Sequence, residues 1–159
     1  MPASPNLVAD AIVTAIRGIG LETAEGEALA SASVMKLKTP SLPDDVQPPA
    51  VVVAVGEGGE GGETEEIDAF TKLNRYPVTV AIFTAAGGSL LGDDETVREW
   101  RVEIEEVVDD RGRATFATVP GFNKVSTMGR VPFDPVALRD DLNMSSQRFT
   151  VEVLETRAT

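Results

Sequence analysis

Three clusters of carboxylates are the residues of this chain best suited to chemistry: Asp93, Asp94 and Glu95; Glu103, Glu105 and Glu106; and Asp109 with Asp110. Paired carboxylates can serve a hydrolase as acid and base, or hold a divalent cation through oxygen ligands. The competing reading is a helix cap, a solvated helix face and a polar turn. Spacing favours the second reading, because Glu103 and Glu106 fall on the helix face away from Trp100 and Ile104. Serine and threonine hydroxyls are abundant, but the chain contains no histidine to activate one. It also contains no cysteine, which excludes disulfides and thiolate metal sites. No catalytic residue, metal or cofactor is therefore expected, and the chain reads as a non-enzyme.

Two further stretches invite a binding role. Residues 57–63 read Glu-Gly-Gly-Glu-Gly-Gly-Glu. A phosphate-binding loop needs glycines followed by Lys and Ser or Thr, so that backbone donors and an ammonium meet the phosphates. Glutamates in those places repel a nucleotide, so Glu57, Glu60 and Glu63 point instead to a solvated acidic tip. The second stretch is Pro132-Phe133-Asp134-Pro135, a stiff corner followed by the polar run from Arg139 to Met144. Either this run joins two strands, or Phe133, Asp134, Pro135 and Arg139 lie across a neighbouring subunit. Arg75 and Tyr76 form another possible binding pair, although a tyrosine ring in the core with its hydroxyl at the surface is the commoner use.

The elements that must carry these residues follow from periodicity. Tyr76, Val78, Val80 and Ile82 alternate with Thr79, Ala81 and Phe83, the period of a strand covered on one face and partly on the other. Asp93 or Asp94 is expected to cap a helix whose apolar stripe is Val97, Trp100, Ile104, Val107 and Val108. Ser4-Pro5 opens an earlier helix with the stripe Leu7, Val8, Ala11, Ile12, Ala15, Ile16 and Ile19, ending at Gly18 or Gly20. Residues 32–37 and 50–55 read as a strand pair, separated by Pro40, Pro43, Pro48 and Pro49, which forbid regular structure between them. Residues 50–55 and 66–73 flank the acidic stretch, so residues 57–64 are expected at the tip of a long hairpin. Residues 148–154 form the last strand, with residues 155–159 as a fraying tail. Residues 50–55 and 148–154 are candidate edge strands that pair across subunits.

The 159 residues fit one domain. Its fold class is α/β or α+β, a small and mainly antiparallel sheet flanked by two helices. The formal charge of −12 disfavours a grip on phosphate backbones. No apolar run reaches membrane-spanning length and the first residues lack a basic region, so a protein made in the cytoplasm, without a membrane partner, is expected.

From Tyr76 to Leu154 the order of motifs resembles the tail-terminator and neck proteins of long-tailed bacteriophages. The resemblance rests on the Arg75-Tyr76-Pro77-Val78 strand, the acidic helix with Arg98-Glu99-Trp100-Arg101, the Val131-Pro132-Phe133-Asp134-Pro135 corner and the closing Phe149-Thr150-Val151-Glu152-Val153 strand. Residues 1–66 match in general layout. The resemblance implies a virion protein assembled in the host cytoplasm. It would form a homohexameric ring that ends the tail tube and joins it to the head connector. Genomic DNA would pass through the lumen, past acidic walls that repel it. Glu57, Glu60 and Glu63 would face that channel or the adjoining ring.

Overall fold

The computed structural model describes residues 4–23, 26–56, 63–85, 90–131 and 142–156. The chain folds as an α+β domain around one six-stranded sheet. Helix α1 (Pro5–Ile19) starts where Ser4 Oγ accepts the Leu7 N–H at 3.2 Å, with proline in the first turn. It ends at Gly20, whose φ of 72° is left-handed. Its buried stripe, including Val8, Ile12 and Ile16, rests on β1 (Val34–Lys36) and β2 (Ala50–Val55). Arg17 fixes the end of the helix to the start of β1, donating to Ser31 O and Val34 O, both at 2.9 Å. Strands β1 and β2 run parallel, the one parallel pair among the described residues. Residues 37–49, with their four prolines, cross between them without helix or strand.

The spine of the sheet is a two-stranded ribbon. Strands β4 (Thr71–Ala85) and β6 (Leu142–Thr156) pair antiparallel along their full length, from Thr71 opposite Thr156 to Ala85 opposite Leu142. On the far side of β6 lies β5 (Phe122–Val131), with irregularities at Asn123 and Met128. The β5–β6 junction needs a glycine. Gly121 has φ of 76°, its carbonyl accepts the Leu154 N–H at 2.8 Å, and a Cβ there would lie 1.9 Å from Leu154 O.

The other side of β4 departs from the expected hairpin. Strand β2 pairs with residues 78–83 of β4, and β3 (Glu63–Glu66) pairs with residues 72–75 of the same strand. The two segments flanking the acidic stretch therefore pair with a common neighbour, not with each other. The hairpin turn is instead residues 67–70, where the Ile67 and Asp68 amides donate to Thr71 O and Asp68 Oδ1 accepts the Phe70 N–H. Proline explains the break between β2 and β3. Gly56 N donates to Pro77 O at 2.9 Å, but the reciprocal bond cannot form because proline has no N–H. Half of that hydrogen-bonded pair is missing, and the β2 ladder stops at Val55.

Helix α2 (Leu90–Glu105) begins before Asp93 and Asp94, so these lie within the helix and do not cap it. It runs into a π-helical turn, Glu106–Asp110, closed by Arg111 N donating to Glu106 O at 2.8 Å. A one-turn helix follows, α3 (Gly112–Thr115), in place of the plain polar turn expected there. The Thr115 hydroxyl donates to Val107 O, and the Thr127 hydroxyl reaches Asp109 Oδ2 at 2.5 Å, which ties the π turn to β5. Both long helices lie on one face of the sheet. There Trp100, Ile104 and Val108 join Val8, Ile12 and Ile16 over Val51, Val78, Val80, Phe149 and Val151. Each such large side chain contributes roughly 1.5–3 kcal/mol. The opposite face holds a smaller cluster, Val52, Ala81 and Phe83, covered by Met35, Leu37, Leu42 and Met144.

Two further expectations change with this topology. Residues 50–55 and 148–154 are not edges, since β2 lies between β1 and β4 and β6 lies between β4 and β5. The edges belong to β5 on one side and to β1 and β3 on the other, because the long ribbon takes the centre. Glu155 and Thr156 continue β6, with Glu155 beside Lys72 at 3.7 Å, and so do not fray.

Candidate functional site

An open groove of about 750 Å³ lies on the helical face, between α1 and the run from the π turn through α3. Leu7, Ala11, Ala15, Ile19 and Val107 give it an apolar floor. The small residues of α1 open the groove, because Ala11, Ala15 and Gly18 keep that side of the helix low. Its rim is polar. Asp10 pairs with Lys36 at 2.6 Å, and Glu106 pairs with Arg111 at 2.8 Å. Glu103 also lines the groove, and among the described residues it has no cation beside it. Its pKa is raised above the ordinary carboxylate value, first by partial desolvation and then by the like charges of Glu99, Glu106 and Glu22.

The carboxylate clusters are thus divided. Trp100 and Ile104 are buried as spaced, and Glu103 is exposed on the other side of the helix. Yet Glu103 and Glu106 border a concave surface, not the convex ridge that the helix alone suggests, because α1 stands across from them. Asp109 is used internally by Thr127. Among the described residues no group of three or more acidic side chains is arranged to hold a metal ion.

Arg75 and Tyr76 are structural. The Arg75 Nε donates to Glu152 Oε1 at 3.1 Å across the ribbon. Tyr76 is buried, and its pKa is raised by that burial and by Glu155, against a lowering contact from Asn74. Glu63 occupies β3 opposite Arg75. Glu57, Glu60, Phe133, Asp134, Pro135 and Arg139 lie outside the described residues.

Features that periodicity did not single out are the exposed apolar residues. Ile67 and Phe70 are each 55% exposed at the β3–β4 turn, and Met128 is 65% exposed where β5 is irregular. The hairpin tip could be found only by placing the turn at residues 67–70 and not at the glycines. Ser33 and Lys36 also carry the Ser-x-x-Lys spacing of a nucleophile and its base. The structure separates their roles: Lys36 lies on strand β1 and pairs with Asp10, whereas the motif needs both groups on one helix face. One buried polar group stands out beneath α2. Gln147 is fully buried between the layers and donates to Arg101 O at 3.0 Å, while its Oε1 accepts nothing.

Comparison with protein-family models and with curated proteins gives no match to this chain.

Proposed function

We propose that this chain is a structural subunit of a phage virion. Copies form a hexameric ring at the head–tail junction, where it ends the tail tube and meets the head connector, with DNA passing through the lumen. The observation that carries this reading is the β3–β4 tip. Two large apolar side chains, Ile67 and Phe70, stand exposed on a turn held by three hydrogen bonds at the end of a fully paired ribbon. A rigid projection with an apolar end is suited to burial against another protein. The ordering of motifs from Tyr76 to Leu154 supports the same reading, as does the net charge of −12, which suits a lumen through which DNA must slide. The acidic stretch that ends in Glu63 faces the lumen or the adjoining ring.

Replacing Ile67 and Phe70 together with serine tests this. The variant is expected to fold with the wild-type melting temperature but to lose attachment to tail tubes in a co-sedimentation assay. Undiminished attachment by a folded variant would remove the tip from the account.

A second reading, a hydrolase, rests on Glu103, a carboxylate of raised pKa on the rim of a groove. It predicts turnover that Glu103→Gln abolishes.

A further inference from the structure

A surface that is apolar at its centre and cationic at its margin would match the groove between α1 and the π turn, with its apolar floor and the Glu103 carboxylate on its rim. The chain itself carries such a surface elsewhere. At the free edge of β5, Met128 is 65% exposed at the irregularity between Thr127 and Gly129. On the adjoining strand β6, Arg148 stands opposite Gly129, is exposed and pairs with no carboxylate among the described residues. Lys124, on β5, is 62% exposed and forms a long ion pair with Glu152 at 3.9 Å. Arg148 and Lys124 stand out in a chain with 26 acidic and 14 basic residues. The two surfaces cannot meet within one molecule. The π turn and α3 pack on β5 and on α1, and so stand between the groove and the β5 edge. The hairpin tip is a poorer match for the groove, since Glu66 and Asp68 flank Ile67 and would set like charges against Glu103.

We propose that the groove receives the β5 edge of a second copy of this chain, with Met128 seated on the apolar floor and Arg148 and Lys124 facing the Glu103 side of the rim. The contact is heterologous: one copy offers the groove and the next offers the edge, so repetition generates a ring or an open filament. This rests on the ring reading above and supplies its subunit contact. The like charges around Glu103 are relieved when a cation arrives.

The absence of native cysteine makes a clean test possible. Met128→Cys and Thr14→Cys place single thiols on the edge and on the exposed wall of the groove; Ser41→Cys places one on the connection that covers the opposite sheet face. A disulfide requires Cα atoms within about 7 Å. Mild oxidation of mixed Met128→Cys and Thr14→Cys proteins is expected to yield a cross-linked pair, and Met128→Cys with Ser41→Cys only background. Adding Glu103→Arg to the Thr14→Cys protein is expected to lower the yield roughly ten-fold, the loss of one favourable charge contact and its replacement by repulsion. Equal yields from the two mixtures would overturn the proposal. If hexamers form while those yields are equal, the ring stands and this contact falls. If the cross-link forms but the assemblies are open filaments, the contact stands and the ring falls.

Discussion

Glu103 shows how one side chain reports its surroundings. Its carboxyl is partly desolvated and faces three other glutamates, so its folded pKa lies above the unfolded one. A carboxyl with a raised pKa binds its proton more tightly in the folded state. Its contribution to stability is fully present below the unfolded pKa and is lost as pH rises through the folded value. Glu103→Gln is therefore expected to raise the melting temperature of the dilute monomer at neutral pH, and the gain should vanish below about pH 4, where the unfolded carboxyl is itself protonated. Thermal melts of both proteins across pH 3–8 check this, and a gain that persists at the acid end would contradict it. The spacing of Glu103 from Trp100 placed it outside the core. It could not reveal the groove, because the opposing wall comes from α1, far away in the chain. Gln147 is similar: the alternation of residues 148–154 says nothing of a buried amide one position earlier that reaches α2.

Elements were legible where local chemistry decides them. Ser4-Pro5 and Gly20 mark the ends of α1, and the amide of Leu7 does use the serine. Removing that acceptor with Ser4→Ala is expected to cost about 1 kcal/mol of stability, read as a lower denaturation midpoint with unchanged slope. The strand at residues 50–55 was visible from its β-branched run bounded by prolines, and the strand at residues 76–83 and the buried stripe Val97, Trp100, Ile104 and Val108 from period. Legibility failed where pairing is non-local. Nothing near the glycines says that β2 and β3 share β4 as a partner, and the eye takes the most glycine-rich stretch for the turn. Pro77 held the clue: a missing donor inside a central strand demands a neighbour that does not need it, and that neighbour is the end of β2. The start of α2 was misjudged for a related reason. Asp93 and Asp94 are good caps, but Leu90 and Leu91 upstream are good helix formers, and the helix includes them.

For the whole molecule, the mainly antiparallel sheet with two long helices was within reach of the sequence, and the shared face of those helices and the order of the strands were not. That order moves residues 50–55 and 148–154 from the edges to the interior, so subunit contacts cannot be built by pairing them across copies. The contacts proposed for assembly, all among the described residues, are the apolar hairpin tip, the β5 edge with the cations beside it, and the groove. A tip suits stacking on a different protein, while groove and edge suit lateral repetition. We propose that copies of this chain close on themselves laterally. Native mass spectrometry over rising protein concentration tests it most directly. One closed species, a hexamer, is expected to appear without larger products and to recede at high salt as the charge contacts are screened. A monomer at every concentration, or a ladder that never closes, would contradict it.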